Sequence, residues 1–134
     1  MCLSRVDVVK PEPEGEGYKV FSYASDQIFP VFMGSGKVRI GEWLRKGDGE
    51  AYIQIEEFVG YPTGFHIFEC EKDAIKFMDH LQTLSWINLT VRKVKYRRAH
   101  TRGMTTAGPI MQSIREFPTI VADEMFVIPE EVQQ

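Results

Sequence analysis

Residues 119–128 constrain this chain more than any other segment. Ile120, Val121, Ala122, Met125, Phe126, Val127 and Ile128 are apolar on both alternations of a strand, and Pro118 and Pro129 bracket them. A strand with one wet face alternates apolar and polar residues, so a run apolar on both predicts a central strand covered on both sides. The chain must supply neighbours for that strand and a layer over it.

One segment fits the layer. Ala74, Phe77, Met78, Leu81 and Leu84 recur at spacings of three and four, which predicts an amphipathic helix of about four turns. Glu69, Glu71 and Asp73 crowd its start, where the helix dipole favours negative charge, so that end is no phosphate cradle.

The neighbours are short and broken by turns. Residues 18–23 are aromatic and β-branched and read as a first strand. Residues 37–40 and 51–55 alternate across a glycine-rich stretch and predict a hairpin, with Gly41 as a bulge or close backbone approach. Tyr61-Pro-Thr-Gly64 suits a tight turn launching a strand over 65–68. Residues 87–98 predict a further strand, 99–108 a loop and 108–114 a short helix ended by Pro118. The sum is an α+β fold, a curved, mostly antiparallel sheet or partial barrel of about six strands with one main helix. Residues 1–17, with Pro11 and Pro13 among glutamates, form an extended or mobile lead-in. Residues 18–129 form a single domain, and residues 130–134 form a polar tail.

No apolar run approaches the roughly 18–20 residues that cross a bilayer, and the first residues lack a signal peptide's apolar core. A cytoplasmic protein is expected. Cys2 and Cys70 make neither a disulfide framework nor a zinc site, and no metal or cofactor is expected. Gly34-Ser-Gly-Lys37 lacks P-loop spacing and runs into a strand, so it reads as a turn.

Charge is concentrated. The net charge is −3, yet residues 92–102 hold six bases and no acid, which leaves the rest of the chain at −9. An acidic chain with one cationic element suits a small, localised anion better than a long nucleic acid. Arg92, Lys95, Arg97, Arg98 and Arg102 are the candidate phosphate ligands, because a guanidinium offers a planar fork. Tyr96 is the candidate for stacking on a base, and His66 and His100 are the histidines that join the site. Alternation puts Arg92, Val94, Tyr96 and Arg98 on one face and Lys93, Lys95 and Arg97 on the other. Duplicated across a homo-oligomer interface, these bases would converge on one anion.

Asp123-Glu124 interrupts the central strand, so one carboxylate faces each side. A buried carboxylate requires a partner, and a structural ion pair with the basic strand is the economical reading. The enzymatic alternative pairs His66 with Glu124 or Asp123 for proton transfer on a nucleotide or RNA phosphate. A third reading is a protein-interaction module that inhibits a host factor through an aromatic patch of Phe29, Phe32, Trp43 and Tyr52.

Tyr18-Lys-Val-Phe21, Ile40-Gly-Glu-Trp43, Tyr61-Pro-Thr-Gly-Phe-His-Ile-Phe68 and Asp73-Ala74, followed by a valine-containing last strand, resemble a group of small, mostly uncharacterised phage and bacterial domains. These place a Gly-aromatic-His-aromatic element before a helix. The resemblance spans residues 18–128 and implies a phage-type protein without assigning an activity. Related patterns carry a Cys near that element; here Pro62 and Thr63 precede it and Cys70 follows. In general character the chain is also similar to small oligomeric phage proteins that sequester nucleotide immune signals. The expectation is a non-enzymatic, homo-oligomeric binding protein for a small phosphate-bearing ligand, a nucleotide above all.

Overall fold

A computed structural model describes residues 3–31, 37–46, 52–56, 59–84, 87–107 and 115–129. Its elements run β1 (Leu3–Val6), β2 (Gly15–Ala24), β3 (Gln27–Pro30), β4 (Trp43–Arg45), β5 (Tyr52–Glu56), β6 (Val59–Pro62), β7 (Phe65–Phe68), α1 (Glu71–Leu84), β8 (Leu89–Ala107) and β9 (Arg115–Val127). The α+β expectation holds: one helix accompanies a mostly antiparallel, seven-stranded sheet ordered β1-β8-β2-β7-β9-β4, with β3 beside β2. Because β8 also pairs β9, four strands close into a ring, β8-β2-β7-β9. The ring is not a regular barrel, since β2 and β7 meet only at Tyr18 and Phe68. Gly17 permits that seam: a Cβ there would lie 2.6 Å from the Phe68 carbonyl oxygen.

The residues of 119–128 do lie centrally, paired with β7, β8 and β4. One core fills the ring, built from Phe21, Ile67, Val94, Tyr96, Ala122, Met125 and Val127. A second lies under α1, where Phe68, Phe77 and Phe117 pack with ring centroids 5.2–6.1 Å apart. The apolar stripe of α1 supplies Ala74 and Phe77 to it, with Met78 and Leu81 half-buried beside them. A third, smaller core joins Leu3, Tyr61 and Val121.

Four local expectations are corrected. Residues 37–40 and 51–55 do not pair: Val38 bridges Ile28, and β5 pairs β6. Glycine-rich spacing fixes where a chain can turn and leaves its partner to long-range packing. Residues 99–107 are strand rather than loop, because β9 offers every one of them except His100 a ladder partner down to Arg115. Pro118 lies within β9 instead of ending a segment. The sheet also begins before Tyr18: β1 pairs β8, and Leu3 is 2% exposed. The short helix expected over 108–114, the turn at 34–36, the tail at 130–134 and Phe32 lie outside the described residues.

Candidate functional site

Antiparallel register places cross-strand partners on a common face. Trp43 of β4 lies opposite Phe126 of β9, which lies opposite Lys95 of β8. One step along, Arg45 lies opposite Glu124, which lies opposite Arg97. Lys93 extends the same side of β8 by alternation. The helix covers this side farther back, over Leu89 and Val91, and the stretch from Lys93 to Arg97 lies past that cover. The result is a three-strand face with an aromatic centre and cations along both margins.

Contacts tie the face together. The Arg97 guanidinium lies over the Trp43 ring, 4.0 Å from its centroid, and Lys95 Nζ stands 5.9 Å from the centroid of Phe126. Trp43 and Phe126 are 5.5 Å apart and tilted by 51°. Glu124, 2% exposed, accepts hydrogen bonds from both Arg97 Nε and Arg45 Nε, the latter at 3.0 Å. Hydrogen bonding from Arg97, reinforced by the Arg97, Arg45 and Arg98 charges against the opposing effect of burial, holds the Glu124 carboxyl below its ordinary range. One ionised carboxylate is thus shared by two guanidinium groups, and the ion-pair reading of the Asp123-Glu124 interruption is what the structure contains. Arg45 keeps 75% of its side chain exposed and Arg97 39%.

The other expected ligands are dispersed. Arg92 points into the ring and donates to the Ile128 carbonyl at 3.0 Å. Tyr96, expected to stack on a base, is instead part of the inner core at 6% exposure, packed against Gly15. Alternation therefore holds from Arg92 to Arg97. It breaks at Arg98, whose φ of 56° bends the strand, and His100 then forms a bulge between Ala99 and Thr101. Arg98 is exposed. Arg102 is held by Glu69 through two hydrogen bonds of 3.0 and 3.2 Å, and Lys93 pairs with Glu16 at 3.0 Å.

His66 is interior. Its Nε2 lies 2.8 Å from the Tyr61 hydroxyl, and that oxygen accepts the Leu3 N–H at 2.8 Å. The Tyr61 hydroxyl thus links the Leu3 amide to the imidazole. Burial first, and then the Lys19 charge, lowers His66 from 6.5 to about 3, so the ring is neutral near pH 7. Lys19 donates to the His66 carbonyl at 2.8 Å, and burial lowers its own amine to about 8. Among the described residues the Glu124 carboxylate bonds to Arg45 and Arg97, and the His66 ring to Tyr61. Asp123 meets Lys46 Nζ at 3.0 Å and His100 Nε2 at 3.2 Å, both at charge-pair distance without hydrogen-bond alignment to its Oδ1. His100 is lowered by burial, which outweighs the Asp123 charge.

Of the aromatic patch, Trp43 is 37% exposed and Phe29 is half-buried on β3, at a different margin of the sheet; the Tyr52 side chain lies outside the described residues. Trp43, Phe126 and Arg45 went unrecognised as partners of the basic strand because β4 has three residues and Arg45 lies 79 positions from Glu124. Trp43-Leu-Arg45 shows no polar-apolar alternation, so the sequence carried no local signal for this strand. Among the described residues no group of three or more His, Cys, Asp or Glu is placed to hold a metal, and no helix is long and apolar enough to cross a membrane. No protein-family model, curated protein or solved structure matches this chain.

Proposed function

We propose that this protein binds a phosphate-bearing ligand on the open face of β4, β9 and β8, through Arg45, Lys95 and Arg97, with Arg98 at its margin. One observation carries this reading: Arg45 and Arg97 share a single buried carboxylate, so the face keeps a surplus of positive charge beside an exposed Trp43. A guanidinium fork suits phosphate oxygens, and Trp43 supplies the flat apolar surface that Tyr96 was expected to give. Among the described residues Lys95 meets the Phe126 ring and no carboxylate, which leaves its ammonium available to an anion. Arg102 and Arg92 belong to the scaffold in this reading, since their hydrogen bonds are committed to Glu69 and to Ile128.

Binding of this kind weakens as salt rises, because its phosphate contacts are charge-assisted and exposed. Titrating Trp43 fluorescence with a panel of nucleotides and pyrophosphate at low salt tests it. Quenching that is reversed by salt and lost in Arg45→Gln/Arg97→Gln supports the reading; a flat titration across the panel sinks it. A bound ligand recovered unchanged after denaturation separates a sequestering protein, such as a phage-type sponge for a nucleotide signal, from an enzyme. Light scattering tests whether the active species is a homo-oligomer.

A further inference from the structure

We infer that the ligand of this face is a single-stranded nucleic acid, its backbone running along β8 and one base stacked on Trp43; the inference rests on the phosphate-binding reading above.

Spacing is the first argument. Lys93, Lys95 and Arg97 project from the same side of β8 at every second residue. Strand geometry sets them ~6.7 Å apart, a ladder of ~13 Å in all. That step is about twice the ~3.4 Å rise per nucleotide of a stacked duplex strand. It suits a backbone whose bases are splayed apart, and a free mononucleotide has no use for a ladder of that length.

The second argument is the aromatic margin. Trp43 and Phe126 lie on the neighbouring strands, level with Lys95. An open sheet face that pairs aromatics with flanking cations is the arrangement by which sheet proteins stack unpaired bases, and stacking tolerates any base. Arg97 covers one face of the Trp43 indole at 4.0 Å and Phe126 tilts against it, while 37% of the residue stays exposed.

Charge is the third. Lys93 is paired with Glu16, both about half exposed, and such pairs exchange readily for another anion. Chain-wide acidity, which argues against a long polyanion, does not describe this face: its acid at the centre, Glu124, is buried and shared.

Fluorescence anisotropy with a labelled oligouridylate of about 12 nucleotides provides the test. The full chain is expected to bind it at low salt, with uridine monophosphate and duplex of the same length competing at least ~10-fold more weakly. Trp43→Ala is expected to lower affinity ~10-fold or more and Trp43→Phe to restore most of it, as stacking requires. Lys95→Glu is expected to weaken binding and to reduce the salt slope by about one. Equal competition by uridine monophosphate, with dependence on Trp43 intact, overturns the single-strand inference and leaves phosphate binding standing. Oligonucleotide binding indifferent to both Trp43→Ala and Lys95→Glu overturns the site. Failure of oligonucleotide, mononucleotide and pyrophosphate alike overturns both readings.

Discussion

Two polar regions of this molecule use similar chemistry for opposite ends. Around His66, the donors and acceptors meet one another: the Leu3 amide, the Tyr61 hydroxyl and the imidazole form a chain inside the protein, and Lys19 is spent on a main-chain carbonyl. On the outer face, two arginines share one carboxylate and a lysine lies over an aromatic ring. A closed network stabilises β1 against the body. The outer network is exposed, with two guanidinium groups to one carboxylate, and it is the one the proposal assigns to a ligand. The difference teaches that a histidine or arginine in a suggestive motif is judged by whether its hydrogen bonds are already made inside the fold.

The largest expected effect tests how closed the inner region is. His66 titrates at about 3 when folded against 6.5 unfolded, so between those values the unfolded chain binds more protons. Its stability contribution is present above pH 6.5 and is lost as pH falls toward 3. From pH 7 to pH 5 that amounts to about 2 kcal/mol, read by urea denaturation. His66→Gln should flatten this slope; an unchanged slope in the variant means the ring is not buried neutral.

Tyr61→Phe comes next. It leaves the Leu3 amide and His66 Nε2 facing a phenyl edge and should cost about 2 kcal/mol. Amide exchange should quicken first in β1. A uniform rise across the sheet would show that the hydroxyl does not specifically hold that strand.

Arg102 occupies the middle ground, a base of the cationic stretch that is partly exposed yet bound twice by Glu69. Arg102→Gln should lower stability by only about 0.5–1 kcal/mol, since the pair is well wetted, and should leave nucleotide binding unchanged. Loss of binding in that variant would extend the face to Arg102 and blur the division drawn here.

The smallest stability effect belongs to Lys95→Glu. An exposed side chain with no ion pair among the described residues should change stability by no more than about 0.5 kcal/mol, although the same variant is expected to weaken ligand binding. A large loss of stability would place Lys95 with the scaffold.

Much of the architecture was legible because it depends on local periodicity. The helix follows from apolar residues three and four apart, and the central strand from the run at 120–128, where both alternations are apolar. The site was legible in part. Lys95 and Arg97 fall on the exposed face by simple alternation, whereas Tyr96 carries a residue type suited to stacking on the alternation that faces inward. Arg98 defeats the pattern because a left-handed residue and a following bulge reset the faces, and neither has a one-residue signature in a non-glycine.

By itself the sequence determined the helix over 71–84, a central strand late in the chain, and that positive charge gathers just before that strand. These are properties of neighbours along the backbone, set by side-chain periodicity and composition. Only the tertiary structure decided which acid each base meets, that Trp43 comes to lie under Arg97 from more than fifty residues away, and that His66 turns inward to Tyr61. Register between distant strands settles those matters, because pairing brings together side chains that no local pattern connects, and a single bulge exchanges the faces they present.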